Sequence, residues 1–242
     1  MDEKIKPELA IQSTDIAVSA LKSSLGVLPI VGPLMGELVG YTIPNQRFDR
    51  LVKYCSELEQ KLGKLDNQFL QVALQDENFT DLLEESLRQS VKSLSDERRQ
   101  YISSLIANSL TQEKINFIES KQILHILGEI NDIEVIWLRF YACPLLNGDN
   151  EFRQKHAEIL NYERAHLQSP RHVLDKETFQ ESYRDHLVQL GLLKPEYETM
   201  NFNQSTKLPI IDPFSNTLKI ANYEITLLGK LVLRYIDLDY NY

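Results

Sequence analysis

Apolar residues recur at Phe48, Leu51, Cys55, Leu58, Leu62, Leu65, Phe69 and Val72, at intervals that alternate between three and four. An α-helix returns such positions to one face and a strand does not, so the spacing predicts a helix over 48–72 with a narrow apolar seam. Lys53, Glu57, Glu59, Lys61, Lys64 and Asp66 flank the seam and suit a solvated surface. A stripe this narrow calls for one partner helix. The chain's own next helix, expected over 79–94 with Phe79, Leu83, Leu87 and Leu94 inward, is one candidate. A second copy is the other, forming a coiled coil through Phe48, Leu51, Leu58, Leu62 and Leu65. Gly63 and the aromatic layers at Phe48 and Phe69 depart from an ideal zipper.

The segment before it, "LGVLPIVGPLMGELVGYTI" at 25–43, holds a single charge, Glu37. It just reaches the length of a membrane span, but Pro29 and Pro33 lie inside it and Pro44 follows, so a kink or hairpin is expected in place of one straight helix. The pattern predicts an amphipathic helix over about 14–28 that ends at Leu28. After a break comes a second helix with Pro33 at its first position. Gly32, Gly36 and Gly40 share one face of that second arm, where another backbone can come close, as in small-residue packing inside membranes. A buried hairpin in a water-soluble bundle explains the same residues. Glu37 separates the two readings: in a membrane assembly it faces a pore or a partner, and in a water-soluble fold it faces water.

The remainder reads mostly as helix. Ser95 is a natural N-cap for "DERRQYISSLIANSLT", and Asn131 or Asp132 joins "INFIESKQILHILGEI" to "DIEVIWLRFYA", whose Trp137, Phe140 and Tyr141 form a bulky core face. A further helix is expected over about 151–167. From Asp175 a helix runs to Gly191, residues 196–217 read as a polar loop, "TLKIANYEI" as a strand, and Thr226 as the cap of a last helix. The expected fold class is therefore mainly α: a helical bundle with an N-terminal glycine-rich apolar hairpin and a small C-terminal winged-helix-like α+β module. The expected divisions are 1–46, 47–170 and 171–242.

No nucleophile elbow, phosphate-binding glycine loop or zinc-binding helix motif occurs, and the five histidines show no metal spacing. His125 falls on an apolar helical face and reads as a core residue. Cys55 sits in the seam and Cys143 at a helix end; two such cysteines outline no disulfide framework and fit a cytoplasmic protein. No catalytic residue, metal or cofactor is expected. The net charge of −9, and eight Lys or Arg against ten Asp or Glu within 171–242, argue against duplex nucleic acid as a partner. Arg153, Arg164, Arg171 and His172 are the candidates for an anionic ligand, with a solvated charged face as the alternative.

Three stretches together resemble the bacterial Abi-alpha family of abortive-infection proteins. They are "LGVLPIVGPLMGELVGYTIPNQRFDRL", then "RRQYISSLIANSLT" with "ILHILGEINDIEVIWLRFY", and last "LVQLGLL" with "YEITLLGKLVLRYI". The resemblance covers most of the chain and rests on patterned apolar and glycine positions. It implies a role in phage defence, where effectors stop or kill the infected cell and several attack its membrane. The expectation that follows is a homo-oligomeric effector, cytoplasmic and associating with the bacterial inner membrane on activation. Its trigger would be an anionic signal, such as a nucleotide or oligonucleotide from a partner protein. A soluble adaptor with a winged-helix-like interaction module is the competing expectation.

Overall fold

Why the seam does not run on to Val72 is written in five residues. The computed structural model describes residues 45–111, 116–143, 149–161, 166, 168–201, 207–213 and 216–239. The expectations for Leu28, Gly32, Pro33, Gly36, Glu37, Gly40 and Arg164 lie outside those residues. Helix α1 (Asn45–Leu62) stops at Leu62, and α2 (Asn67–Ala73) begins after a turn, so the single helix expected over 48–72 is two. Gly63 still bonds back to Glu59 O at 2.8 Å, but Leu65 bonds to Leu62 O, which tightens the chain out of α geometry. Asp66 then adopts an extended conformation and its carboxylate accepts from the N–H groups of Gln68 and Phe69. An aspartate offering its own oxygen to the next turn starts a new helix more readily than it continues an old one.

The chain divides into two compact units, residues 1–125 and 126–242. In the first, α1 packs against α3 (Glu77–Lys92) and α4 (Asp96–Thr111), which also pack on each other. Leu51, Cys55, Leu58 and Leu62 are at most 1% exposed in this three-helix core. The seam therefore finds partners within its own chain over those positions. Past the break, Leu65 is half-buried and Phe69 and Val72 are exposed. Leu94, expected to face inward, is exposed because α3 ends at Lys92. Ser95 does cap α4, its hydroxyl accepting from Arg98 N–H at 3.1 Å.

Small hydroxyls line this core. Ser86, Ser90 and Ser109 are buried, and each donates to a carbonyl one turn back in its own helix, at 2.6 to 2.8 Å. A satisfied serine is as compact as alanine, so the helices can approach without an orphaned polar group. Tyr54 crosses from α1 to α3 to donate to Ser86 Oγ at 2.7 Å. Burial pushes the Tyr54 hydroxyl far above its ordinary range, so it remains a donor. Arg99, 2% exposed, ties the α3–α4 connection by donating to Ser93 O and pairing with Asp96. The first residues of α5 (Phe117–Glu129) belong here through Phe117, whose ring lies 5.1 Å from that of Phe79. His125 is exposed on α5, not in the core as its apolar neighbours suggested.

Burial also pushes the Cys55 thiol up to about 12, so the thiolate is scarce at neutral pH. Cys143 is likewise buried. Native protein at pH 8 should therefore give no fast reaction with a colorimetric thiol reagent and two equivalents once unfolded in guanidinium. One rapidly titrating thiol in the native state would contradict the packing around these side chains.

The second unit is built on α6 (Asp132–Ala142). Asn131 and Glu134 cap it reciprocally: Asn131 Oδ1 accepts from Glu134 N–H and Glu134 Oε2 from Asn131 N–H. Helices α7 (Asn150–Lys155) and α8 (Ala157–Leu160) follow, separated at His156 where a helix through 167 was expected. Gln180 holds the far side of that break by donating to Ile159 O at 2.9 Å and Asn161 O at 3.2 Å. It stands on α9 (Arg171–Gln189), which ends at Gly191 with φ of 71°, the left-handed cap that glycine adopts without a steric penalty.

Strands β1 (Leu193–Tyr197) and β4 (Ile220–Ile225) pair antiparallel, as do β2 (Thr199–Asn201) and β3 (Lys207–Pro209), so part of the expected loop at 196–217 is a hairpin. The two pairs meet in a cycle of backbone bonds, each 2.8 Å: Glu198 N–H to Lys219 O, Lys219 N–H to Ile210 O, and Ile210 N–H to Glu198 O. Helix α10 (Leu227–Tyr235) is capped by Thr226, which accepts from Gly229 N–H and donates to Gly191 O. Because α6 packs on α9, β4 and α10, the helices after 125 and the C-terminal strands form one unit, and contacts do not divide at 170/171. The described chain is thus mostly helical, with a small antiparallel sheet region near its C-terminal end.

Candidate functional site

Trp137, Phe140 and Tyr141 lie at helical spacing on α6, so their rings share a face. Trp137 meets Phe140 edge-on at 5.6 Å and lies nearly parallel to Tyr141 at 6.0 Å. From β4, Tyr223 brings a fourth ring to within 5.8 Å of Tyr141. Opposite them, Glu181, Arg184 and Asp185 occupy positions i, i+3 and i+4 of α9 and project together. These residues, with Leu160, Asp212 and residues 217–222, line an open cleft of about 650 Å³, a size typical of sites for small molecules.

Arg184 is the pivot of the cleft. Its guanidinium lies 5.6 Å from the Trp137 ring centre and 5.6 Å from that of Tyr223, and only 9% of the residue is exposed. Such a cation over aromatic faces gains roughly 0.5–2 kcal/mol, more as water is excluded. Burial pushes the Glu181 carboxyl up, Glu177 and Asp185 push it further, and Arg184 opposes them only in part. Tyr223 is pushed up chiefly by burial, with Arg184 opposing.

The anionic-ligand candidates stand elsewhere. Arg153 donates to Cys143 O at 2.6 Å and stacks 4.5 Å from the Phe140 ring, which latches α7 to the end of α6. Arg139 reinforces the latch, pairing with Asp149 at 3.0 Å and lying 4.4 Å from the Phe152 ring. Arg171 and His172 are exposed on the first turn of α9. None of the three lines the cleft. The sequence showed the aromatic face of α6 but read it only as core; Glu181, Arg184 and Tyr223 went unmarked. The spacing of "ESYRDH" places two acids around one arginine on a single helix face, and nothing local says that a distant strand supplies the ring beside it.

Glu134 and His186 form a carboxylate–imidazole pair at 2.7 Å, with Glu134 only 3% exposed. Its other oxygen is committed to Asn131 N–H, so the pair ties the start of α6 to α9. Among the described residues no cluster of His, Cys, Asp or Glu is placed to hold a metal ion, and no helix is both long and apolar enough to cross a membrane. Compared with family models, curated proteins and solved structures, the chain matches none.

Proposed function

We propose that this chain is a non-catalytic effector of bacterial phage defence of the Abi-alpha type. Residues 126–242 receive a signal, and residues 25–43 assemble with other copies and permeabilise the inner membrane. The observation that carries the receiving half is the cleft around Arg184, a formed concavity walled by four aromatic rings. The acting half is supported by the sequence, through nineteen residues with one charge and the glycine face of Gly32, Gly36 and Gly40. In this reading α9, the strands and α10 are a winged-helix-like module that serves ligand or protein recognition. Eight cations against ten acids in 171–242 weigh against duplex DNA as its partner.

The test is expression in bacterial cells carrying a potential-sensitive dye, with mass measurement of the purified protein in detergent. Wild type is expected to depolarise the cells and to run as an oligomer. Gly36→Leu, which obstructs close helix approach, should return depolarisation to background. Depolarisation unchanged by Gly36→Leu, or a wholly monomeric protein that never depolarises cells, would sink the proposal.

One observation favours a second reading, a soluble adaptor that binds another protein. Tyr197 and Ile220, Met200 and Leu208, and Ile211 and Leu218 face each other as cross-strand pairs, and all six side chains are exposed. Exposed apolar pairs in so small a sheet suit a contact surface. An identical monomer mass with and without detergent, together with silence in the depolarisation assay, is the outcome this second reading expects.

A further inference from the structure

We infer that the cleft of the second unit binds a small organic cation with a guanidinium or alkylammonium head. The rings of Tyr141 and Tyr223 and the carboxylates of Glu181 and Asp185 receive it. The inference rests on the reading of that cleft as the receptor and adds the chemistry of the ligand, which reverses the anionic signal expected from the sequence.

Charge decides the sign. Three carboxylates line the cleft, Glu181, Asp185 and Asp212, against two cations, Arg184 and Lys219. Lys219 is paired with Glu198 at 2.9 Å, Arg184 lies over ring faces and Asp212 also interacts within the chain, so the exposed Glu181 and Asp185 are the acids an entering group meets. An entering anion meets carboxylates first, and like charges brought together in a partly desolvated cleft repel strongly. A cation meets the same carboxylates as partners and the Tyr141 ring behind them, against repulsion from Arg184 over Tyr223 that the two carboxylates must exceed. At Glu181, burial first and then Glu177 and Asp185 push the carboxyl up, with Arg184 opposing.

The walls already accept this chemistry from within the chain. Arg184 is itself a guanidinium over Trp137 and Tyr223, but at 5.6 Å from each centre it sits farther out than Arg139 and Arg153 do from their rings, 4.4 and 4.5 Å. Tyr141 and Tyr223 are only half-buried, so ring surface remains to be covered. A cleft of about 650 Å³ has the size of a small-molecule site.

The chain has a single tryptophan, and it lines the site, so Trp137 fluorescence reports occupancy directly. Full-length protein titrated with agmatine should give a saturable change in emission that weakens with added salt. The variant Glu181→Gln/Asp185→Asn alters two exposed side chains and should weaken agmatine at least tenfold, with an unchanged far-UV circular dichroism spectrum. Adenosine monophosphate and inorganic phosphate should give no saturable change. Absence of a saturable response to agmatine, or agmatine affinity untouched by the double variant, overturns the inference. So does saturable binding of adenosine monophosphate that disappears with Tyr223→Ala, an outcome that would keep the cleft as receptor and reverse only its ligand. Agmatine binding that leaves depolarisation of cells unchanged would keep the ligand and remove the receptor role.

Discussion

Gly229→Ala should cost the second unit about 3 kcal/mol or more, the upper range for overpacking, and lower its urea midpoint accordingly. A methyl group built on Gly229 would lie 2.5 Å from Leu192 O, 2.8 Å from Ile225 Cγ1 and 3.2 Å from Leu138 Cδ1. A side chain could swing aside, but Leu192 O is backbone and is held by Thr226 N–H at 3.0 Å, so it cannot yield cheaply. Helix propensity pulls the other way, since alanine is favoured over glycine in an exposed helix interior by about 1 kcal/mol. The two effects have opposite signs, which makes the experiment decisive. A neutral or stabilising Gly229→Ala would mean that α10 does not rest on Leu192 and Ile225 as described.

Leu58→Ala should be nearly as severe in the first unit. Leu58 is fully buried among α1, α3 and α4, and truncating such a leucine costs about 2–5 kcal/mol according to how far the cavity collapses. The thermal midpoint should fall by the same amount at low and high protein concentration, because the partners of Leu58 belong to its own chain. A fall that shrinks as concentration rises, with a mass that drops toward the protomer, would place the seam between copies instead.

The reading of these residues from sequence succeeds where the information is local. Ser95, Asn131, Gly191 and Thr226 announce helix ends because a cap acts on amides within three residues of itself. The 3–4 spacing locates α1 and its buried side, yet it runs straight through the break at Gly63, since Leu65, Phe69 and Val72 keep the interval after the helix has ended. Periodicity records what a helix would bury and is silent on whether the helix continues; Asp66, a capping residue inside the pattern, was the available clue. His125 fails for a related reason, because apolar neighbours in sequence do not fix which side of α5 meets the core. The hairpin within 196–217 is set by pairing of Thr199 with Pro209, which no local sequence pattern announces. Least legible is the cleft, because Tyr141, Arg184 and Tyr223 come from three separate elements whose meeting is a property of packing alone.

The cycle of bonds through Glu198, Ile210 and Lys219 ties the hairpin to the longer strands. Glu198 continues β1 and Lys219 leads into β4, so the β2–β3 pair and the β1–β4 pair share these three bonds. Opening the hairpin therefore costs bonds that also anchor the strand carrying Tyr223.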